Sequence, residues 1–261
     1  DPGWDPSYAS AQAVINGSVT LTSGCIEIDG VTGSGTAGHG FKILNPAETR
    51  VLTLALNTGP YHVYHCEIRG RTRLSQRGFD GLYYHNLTPQ KGFHVAHCWI
   101  HECGRNGVTV GKTIGTSYED YGMLFEHNVV EHTGGNLEGG HSQAMQIGYG
   151  AGDAYLIIRN NIFRDNVGSA MITFLAGPDS HHRFSRIYNN IFIMTDLTKF
   201  NASPGIIWAH EDSASCSNIE ICNNTFYGVR LGQVVLSAKG TGNALVNNVW
   251  ENCVFTSPLH R

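Results

Sequence analysis

Proline is scarce in this chain, with 8 residues among 261, and methionine and tryptophan number 4 each. Charge is thin as well: 15% of residues are Asp, Glu, Lys or Arg, with a formal net charge of −4. A weakly acidic chain lacks the basic face that a nucleic-acid partner requires, so none is expected. No apolar run approaches the roughly 18 residues of a transmembrane helix, so no membrane insertion is expected either. Helical periodicity is nearly absent; the one candidate helix is Asp5–Ile15 (DPSYASAQAVI). The seven cysteines contain no Cys-x-x-Cys pair, which removes zinc-ribbon spacing. Cys98 with Cys103, and Cys216 with Cys222, are close enough to bridge a loop, but mostly free thiols are expected. Four Asn-x-Ser/Thr sequons begin at Asn16, Asn86, Asn201 and Asn223, and in so Asn-rich a chain they are read as chance.

What the chain does have is glycine (32), histidine (14) and a repeat. The segments YHVYHCEI (61–68), FHVAHCWI (93–100), MLFEHNVV (123–130), LIIRNNIF (156–163), SRIYNNIF (185–192), IEICNNTF (219–226) and NALVNNVW (243–250) align without internal gaps. Their starts are separated by 32, 30, 33, 29, 34 and 24 residues, a period suited to one solenoid coil with loops of variable length. The third and last positions are apolar throughout, from Val63 and Ile68 to Leu245 and Trp250, and alternation between them predicts inward-facing strand. Two polar columns separate them. One reads His65, His97, His127, Asn160, Asn189, Asn223, Asn247; the other reads Cys66, Cys98, Asn128, Asn161, Asn190, Asn224, Asn248. Asparagine tolerates a left-handed backbone at a tight bend and its amides can bond along a stack, so an asparagine ladder is expected at a sheet corner. A second set of strands is read at Gly40–Ile43, Gly81–Tyr84, Gly107–Val110, Ala144–Ile147, Ala170–Thr173, Gly205–Trp208 and Gln233–Leu236.

These columns resemble the right-handed parallel β-helix, pectin-lyase-like superfamily, over residues 25–255 of a single domain spanning 1–261. The resemblance implies an all-β solenoid of roughly seven to nine coils, with Asp5–Ile15 as an N-terminal capping helix. It implies activity on a polysaccharide in a groove over the long sheet, in an extracellular or cell- or virion-surface setting, as a monomer or end-to-side oligomer. Fold does not define the reaction, because this superfamily includes lyases, hydrolases, epimerases and binding modules.

Candidate site residues lie on the second strand set and the loops before it. For β-elimination on a uronate polymer, a base, an acid and a group neutralising the sugar carboxylate are needed. Arg105, His132, His141, Asp165 and Tyr83 are the catalytic candidates. Asp80, His85, Asn106, Lys112, Gln143, Gln146 and His210 are the substrate-binding ones. The Gly-rich loop 131–150 carries Glu131 and Glu138, where Ca2+ is the one cofactor suggested. An inverting hydrolase would instead use paired carboxylates, Asp165 with Glu138 or Asp80 with Asp165. No polygalacturonase-like NTD, DD or RIK motif and no pectate-lyase-like acidic run is present, so neither known active site transfers. A non-catalytic module would bind sugar on Tyr83, Tyr84, Tyr118, Tyr121, Tyr149, Phe174 and Trp208. His65, His97 and His127 are read as ladder positions in place of a metal site.

Overall fold

The computed structural model describes residues 12–31, 38–47, 49–55, 60–71, 80–85, 92–111, 123–134, 142–148, 151–153, 155–168, 170–174, 181–195, 205–209, 215–228, 230–231 and 241–255. All regular structure among them is strand, and every strand pairing is parallel. The chain visits three sheets in turn. Sheet A has nine strands, from Ala13–Asn16 through Cys66–Arg69, Trp99–His101 and Val129–Glu131 to Val249–Glu251. Sheet B has seven, from Val19–Leu21 through Leu52–Ala55, Leu82–His85, Val108–Val110, Gln143–Ile147 and Ala170–Phe174 to Gly205–Ala209. Sheet C has eight, from Ile26–Asp29 through Tyr61–Tyr64, Phe93–Ala96, Met123–Glu126 and Leu156–Arg159 to Ala244–Val246. Each strand pairs with the equivalent strand of the next turn, so the molecule is a parallel β-solenoid. From Ala151 onwards a short three-stranded sheet is inserted between sheets B and C.

Period-2 alternation supplies the core. Val63, Val95, Phe125, Ile158, Ile187 and Ile221 point inward from sheet C, and Ile68, Ile100, Val130, Phe163, Phe192 and Phe226 from sheet A, all completely buried. Register places like on like, so Phe163, Phe192, Phe226 and Trp250 stack with centroids 5.0, 4.8 and 4.1 Å apart. At one strand step per turn this is the spacing expected of paired strands.

The corner between sheets C and A takes two residues with different tasks. The first has a left-handed backbone at His65, His97, His127, Asn160, Asn189, Asn223 and Asn247, with φ between 51° and 56°. The second is buried. Asn128, Asn161, Asn190 and Asn224 each donate from Nδ2 to the Oδ1 of the following asparagine at 3.0–3.2 Å. Each also donates to a strand carbonyl one turn back, at 2.9 Å. Each Oδ1 accepts the backbone N–H of the preceding turn's corner residue, as Asn161 does from Asn128 at 2.9 Å. The buried amide therefore satisfies backbone groups that the sharp turn takes out of the sheet.

A second corner, leaving sheet A, uses the same device: Glu102, His132 and Asp165 are left-handed (φ 53°, 51° and 50°), followed by buried Cys103, Thr133 and Asn166. Further on, Gly107 opens the strand Val108–Val110, where an added Cβ would meet the Ala144 carbonyl at 2.7 Å and Val130 Cγ1 at 2.6 Å.

Several expectations are corrected. The helix read over Asp5–Ile15 ends in strand, since Ala13–Asn16 pairs with Phe41–Leu44; residues 1–11 lie outside the described residues. Strand Phe41–Leu44 belongs to sheet A, not with the other members of its predicted set; the sheet B strand at that level is Leu52–Ala55, which was not expected. Tyr84 and Phe174 are core residues and line no groove. Strand Gln233–Leu236 lies outside the described residues. The expectation of free thiols holds, since all seven cysteines are free.

Candidate functional site

The second strand set is for the most part sheet B, and its outer face gathers polar side chains. Register aligns Thr20, Thr53, Tyr83, Thr109, Gln146 and Thr173 in one outward row. The two halves of that row differ. Thr109, Gln146 and Thr173 are buried, whereas Thr20 is exposed and Thr53 and Tyr83 are half-buried. The accessible stretch is therefore the early one, bounded by two arginines. Arg50 places its guanidinium carbon 3.4 Å from the Tyr83 ring centroid, a contact of cation–π type. Arg105 brings Nε to 4.0 Å from Asp80 Oδ1, with its own side chain 46% exposed and that of Asp80 1%. Burial pushes the Asp80 carboxyl above the ordinary carboxylate range, against the pull of Arg105, Thr109 and Arg50. Asp80 Oδ1 has no hydrogen-bond partner among the described residues. A carboxyl poised toward its neutral form under the influence of two guanidiniums can exchange protons while an anion is held next to it.

Asp80 and Arg105 thus come together, and Arg50 links them to Tyr83. Asn106 and Gln146 do too, but as scaffold: Asn106 Nδ2 donates to Thr109 Oγ1 and Gln146 Oε1, each at 2.9 Å, and its Oδ1 accepts the Gln143 N–H at 3.0 Å. All four are buried, so Gln143 and Gln146 fasten the face and do not reach a substrate. His85 ends the strand Leu82–His85. His132 and Asp165 sit at the corner leaving sheet A, and Asp165 is tied to Thr195 N–H and Oγ1 at 2.6 and 2.8 Å. Glu131 is on the outer face of sheet A, bonded by Trp99 Nε1 at 2.7 Å and by Arg164, which leaves its carboxylate occupied as an ion pair. Lys112, Glu138, His141 and His210 lie outside the described residues. Asp80 precedes the sheet B strand Leu82–His85 and Asp165 lies at the corner before Ala170–Phe174, three turns further on, about 14 Å along the stack at 4.8 Å per turn. That exceeds the carboxylate spacing of an inverting hydrolase and removes this pair.

The three early corner histidines are stacked face to face, with centroids 4.9 and 5.0 Å apart and planes within 8° and 4° of parallel. Ring lone pairs lie in the ring planes, so parallel rings cannot converge on one cation. His65 Nδ1 meets Asp29 at 2.8 Å, and His127 Nε2 meets Asn160 at 3.3 Å. These are corner positions. Among the described residues no three His, Cys, Asp or Glu side chains form a metal-binding group.

A second polar assembly was missed. On the outer face of sheet C, six side chains form one hydrogen-bonded line. His62 Nδ1 lies 2.7 Å from the Tyr64 hydroxyl, which lies 2.9 Å from His94 Nδ1. His94 Nε2 meets Glu126 Oε1 at 2.9 Å. Arg159 donates to Glu126 Oε2 at 2.6 Å and to the Tyr188 hydroxyl at 3.1 Å. Burial raises the Glu126 carboxyl, but Arg159 and His94 outweigh it and hold it below the ordinary range. Burial lowers His94 despite Glu126, and burial with Glu27, Asp29 and Glu126 raises the Tyr64 phenol. The signal was in the aligned segments: their second and fourth positions, His62 and Tyr64, His94 and Ala96, Leu124 and Glu126, Ile157 and Arg159, are the outward columns of the repeat.

No family model matches the chain, and no curated protein or solved structure matches it. The class is set by the fold alone, a parallel β-helix with buried asparagine corners.

Proposed function

We propose that this chain is a carbohydrate-active, right-handed β-helix that cleaves an anionic, uronate-bearing polysaccharide by β-elimination over the accessible end of sheet B. The observation that carries this reading is the grouping of Arg50, Arg105, Tyr83 and buried Asp80 on that face. Elimination adjacent to a carboxylate requires that its charge be neutralised as the neighbouring proton leaves. Arg105, the more open of the guanidinium contacts, takes the sugar carboxylate, with Arg50 behind it. Tyr83 exchanges the proton, and His141, in the segment leading into Gln143–Ile147, remains the second acid/base candidate. The right hand follows from the near-universal preference of parallel crossovers. The same reading sets the protein outside the cell or on a cell or virion surface, with a polysaccharide as its partner.

The test is incubation with a panel of uronate polymers while following the ultraviolet absorbance of the unsaturated product. Arg105→Ala is expected to lower kcat/KM about 100- to 1,000-fold, and Tyr83→Phe about 100-fold or more. New reducing ends without absorbance would replace elimination by hydrolysis. Retained binding with neither signal would make the face a sugar-binding module.

A further inference from the structure

The outer face of sheet C is a different face from the one above, and its line of side chains has a feature that packing does not require. Two imidazole nitrogens, from His62 and His94, approach a single phenol oxygen at 2.7 and 2.9 Å. The His94 tautomer is fixed. Its Nε2 faces the Glu126 carboxylate, so the ring proton is there and the Nδ1 lone pair points at the Tyr64 oxygen. A carboxylate behind an imidazole, orienting it and raising its basicity, is the usual support of a metal-binding histidine. Glu126 is itself immobilised by Arg159. The surroundings are anionic: Glu27, Asp29 and Glu126 all act on Tyr64. His62 and Tyr64 are half-buried and the His94 side chain is 30% exposed, so the three groups are open to solvent on one side. The ring centroids of His62 and His94 are 6.3 Å apart, a separation that one cation between two imidazoles accommodates.

We propose that His62 Nδ1, His94 Nδ1 and the Tyr64 phenolate oxygen form a site for a divalent transition metal, with Glu126 supporting His94. Two nitrogens and one oxygen favour Cu(II) among the first-row ions, both by ligand type and by the general affinity order. Cis ligands about 2.0–2.1 Å from a tetragonal cation stand roughly 2.9 Å apart and trans imidazoles place their ring centroids about 6.3 Å apart, so Tyr64 need retreat by only about 0.2 Å from His62. Being half-exposed, it has room to do so. Binding breaks the phenol O–H bond and releases one proton to solvent. His62, which donates from Nδ1 to the phenol in the free protein, keeps one proton by carrying it on Nε2. The remaining coordination positions are left to water or an oxygen-bearing ligand, so the site is an open one.

The experiment is a titration of metal-stripped, full-length protein with Cu(II), read by calorimetry, by proton release at constant pH and by visible absorption. One equivalent is expected to bind with release of one proton and appearance of a phenolate-to-Cu(II) charge-transfer band. Tyr64→Phe abolishes the band and the proton release while leaving weaker binding. His62→Ala and His94→Ala each weaken binding more than tenfold, and Glu126→Gln weakens it about 10- to 100-fold. His97→Asn, at the neighbouring corner, changes nothing. Circular dichroism establishes that each variant is folded. Absence of the band in the wild-type protein overturns the proposal, as does unchanged binding in folded His62→Ala.

Discussion

Asn190 illustrates how much one corner residue holds. Its Nδ2 serves the Ile158 carbonyl and Asn224, while its Oδ1 receives the N–H and side chain of Asn161. Asn190→Ala leaves several buried groups without partners and is expected to cost about 2–4 kcal/mol, measured by urea unfolding. The residue before it has a separate duty. Asn189 has φ 55°, so Asn189→Val destabilises by about 1–2 kcal/mol through backbone strain alone, whereas Asn189→Gly is nearly neutral. Asp80 behaves in the opposite sense to a paired carboxylate. Its folded-state pKa is raised by burial, so folding favours the protonated form, and stability falls as pH rises from the unfolded carboxylate value through the raised one. Asp80→Asn therefore raises the thermal midpoint at pH 7, with the difference vanishing below about pH 4; a lower midpoint at neutral pH would contradict the burial account.

At the scale of the element, sheet A carries a polar seam on its early outer face. His101 Nε2 meets Glu67 Oε1 at 3.1 Å, Lys42 reaches the same oxygen at 2.6 Å, and Trp99 stacks on His101 at 3.9 Å. Burial lowers the pKa of His101 in spite of Glu67 beside it, and His39 is lowered likewise. The fold therefore holds these rings neutral. Their contribution is present above the unfolded value near 6.5 and is lost as pH falls below it, because the unfolded chain takes up protons more readily. Thermal melts from pH 7.5 to 5.5 should show declining stability, with a shallower decline in His101→Gln. Further along the same sheet the inner phenylalanines dominate. Phe192 lies between Phe163 and Phe226, and Phe192→Ala should cost about 3–5 kcal/mol with a cavity left in the stack.

Among the described residues the molecule is a quasi-one-dimensional stack whose strands pair only with those of adjacent turns. Stability is therefore distributed unevenly along it. At the first turn the inward Ile15 is 44% exposed, and near the last the inward Leu245 and Trp250 are only partly buried, whereas the middle turns bury their inward rows completely. Amide exchange should be slowest in Val95, Phe125 and Ile158 and fastest in Ala13–Asn16 and Val249–Glu251. Uniform protection from end to end would mean that the turns unfold as one block.

The sequence by itself determined the solenoid, because an apolar inward row and a polar corner pair recur in every turn and like residues must then stack on like. It also placed Asp80, Tyr83 and Arg105 on one face. Only the tertiary structure decided which of these are reachable. Gln143, Gln146 and Asn106 are the right types for a sugar site, but their hydrogen bonds turn inward along the sheet. His132 and Asp165 were chosen for their chemistry, yet each sits where the chain needs a left-handed turn, which residue type alone cannot distinguish. Arg50 was missed because the strand after it, Leu52–Ala55, was missed. The His62–Tyr64–His94–Glu126 line was hidden for a related reason: its members are 2, 30 and 32 residues apart, and only the register of parallel strands brings them within hydrogen-bonding distance.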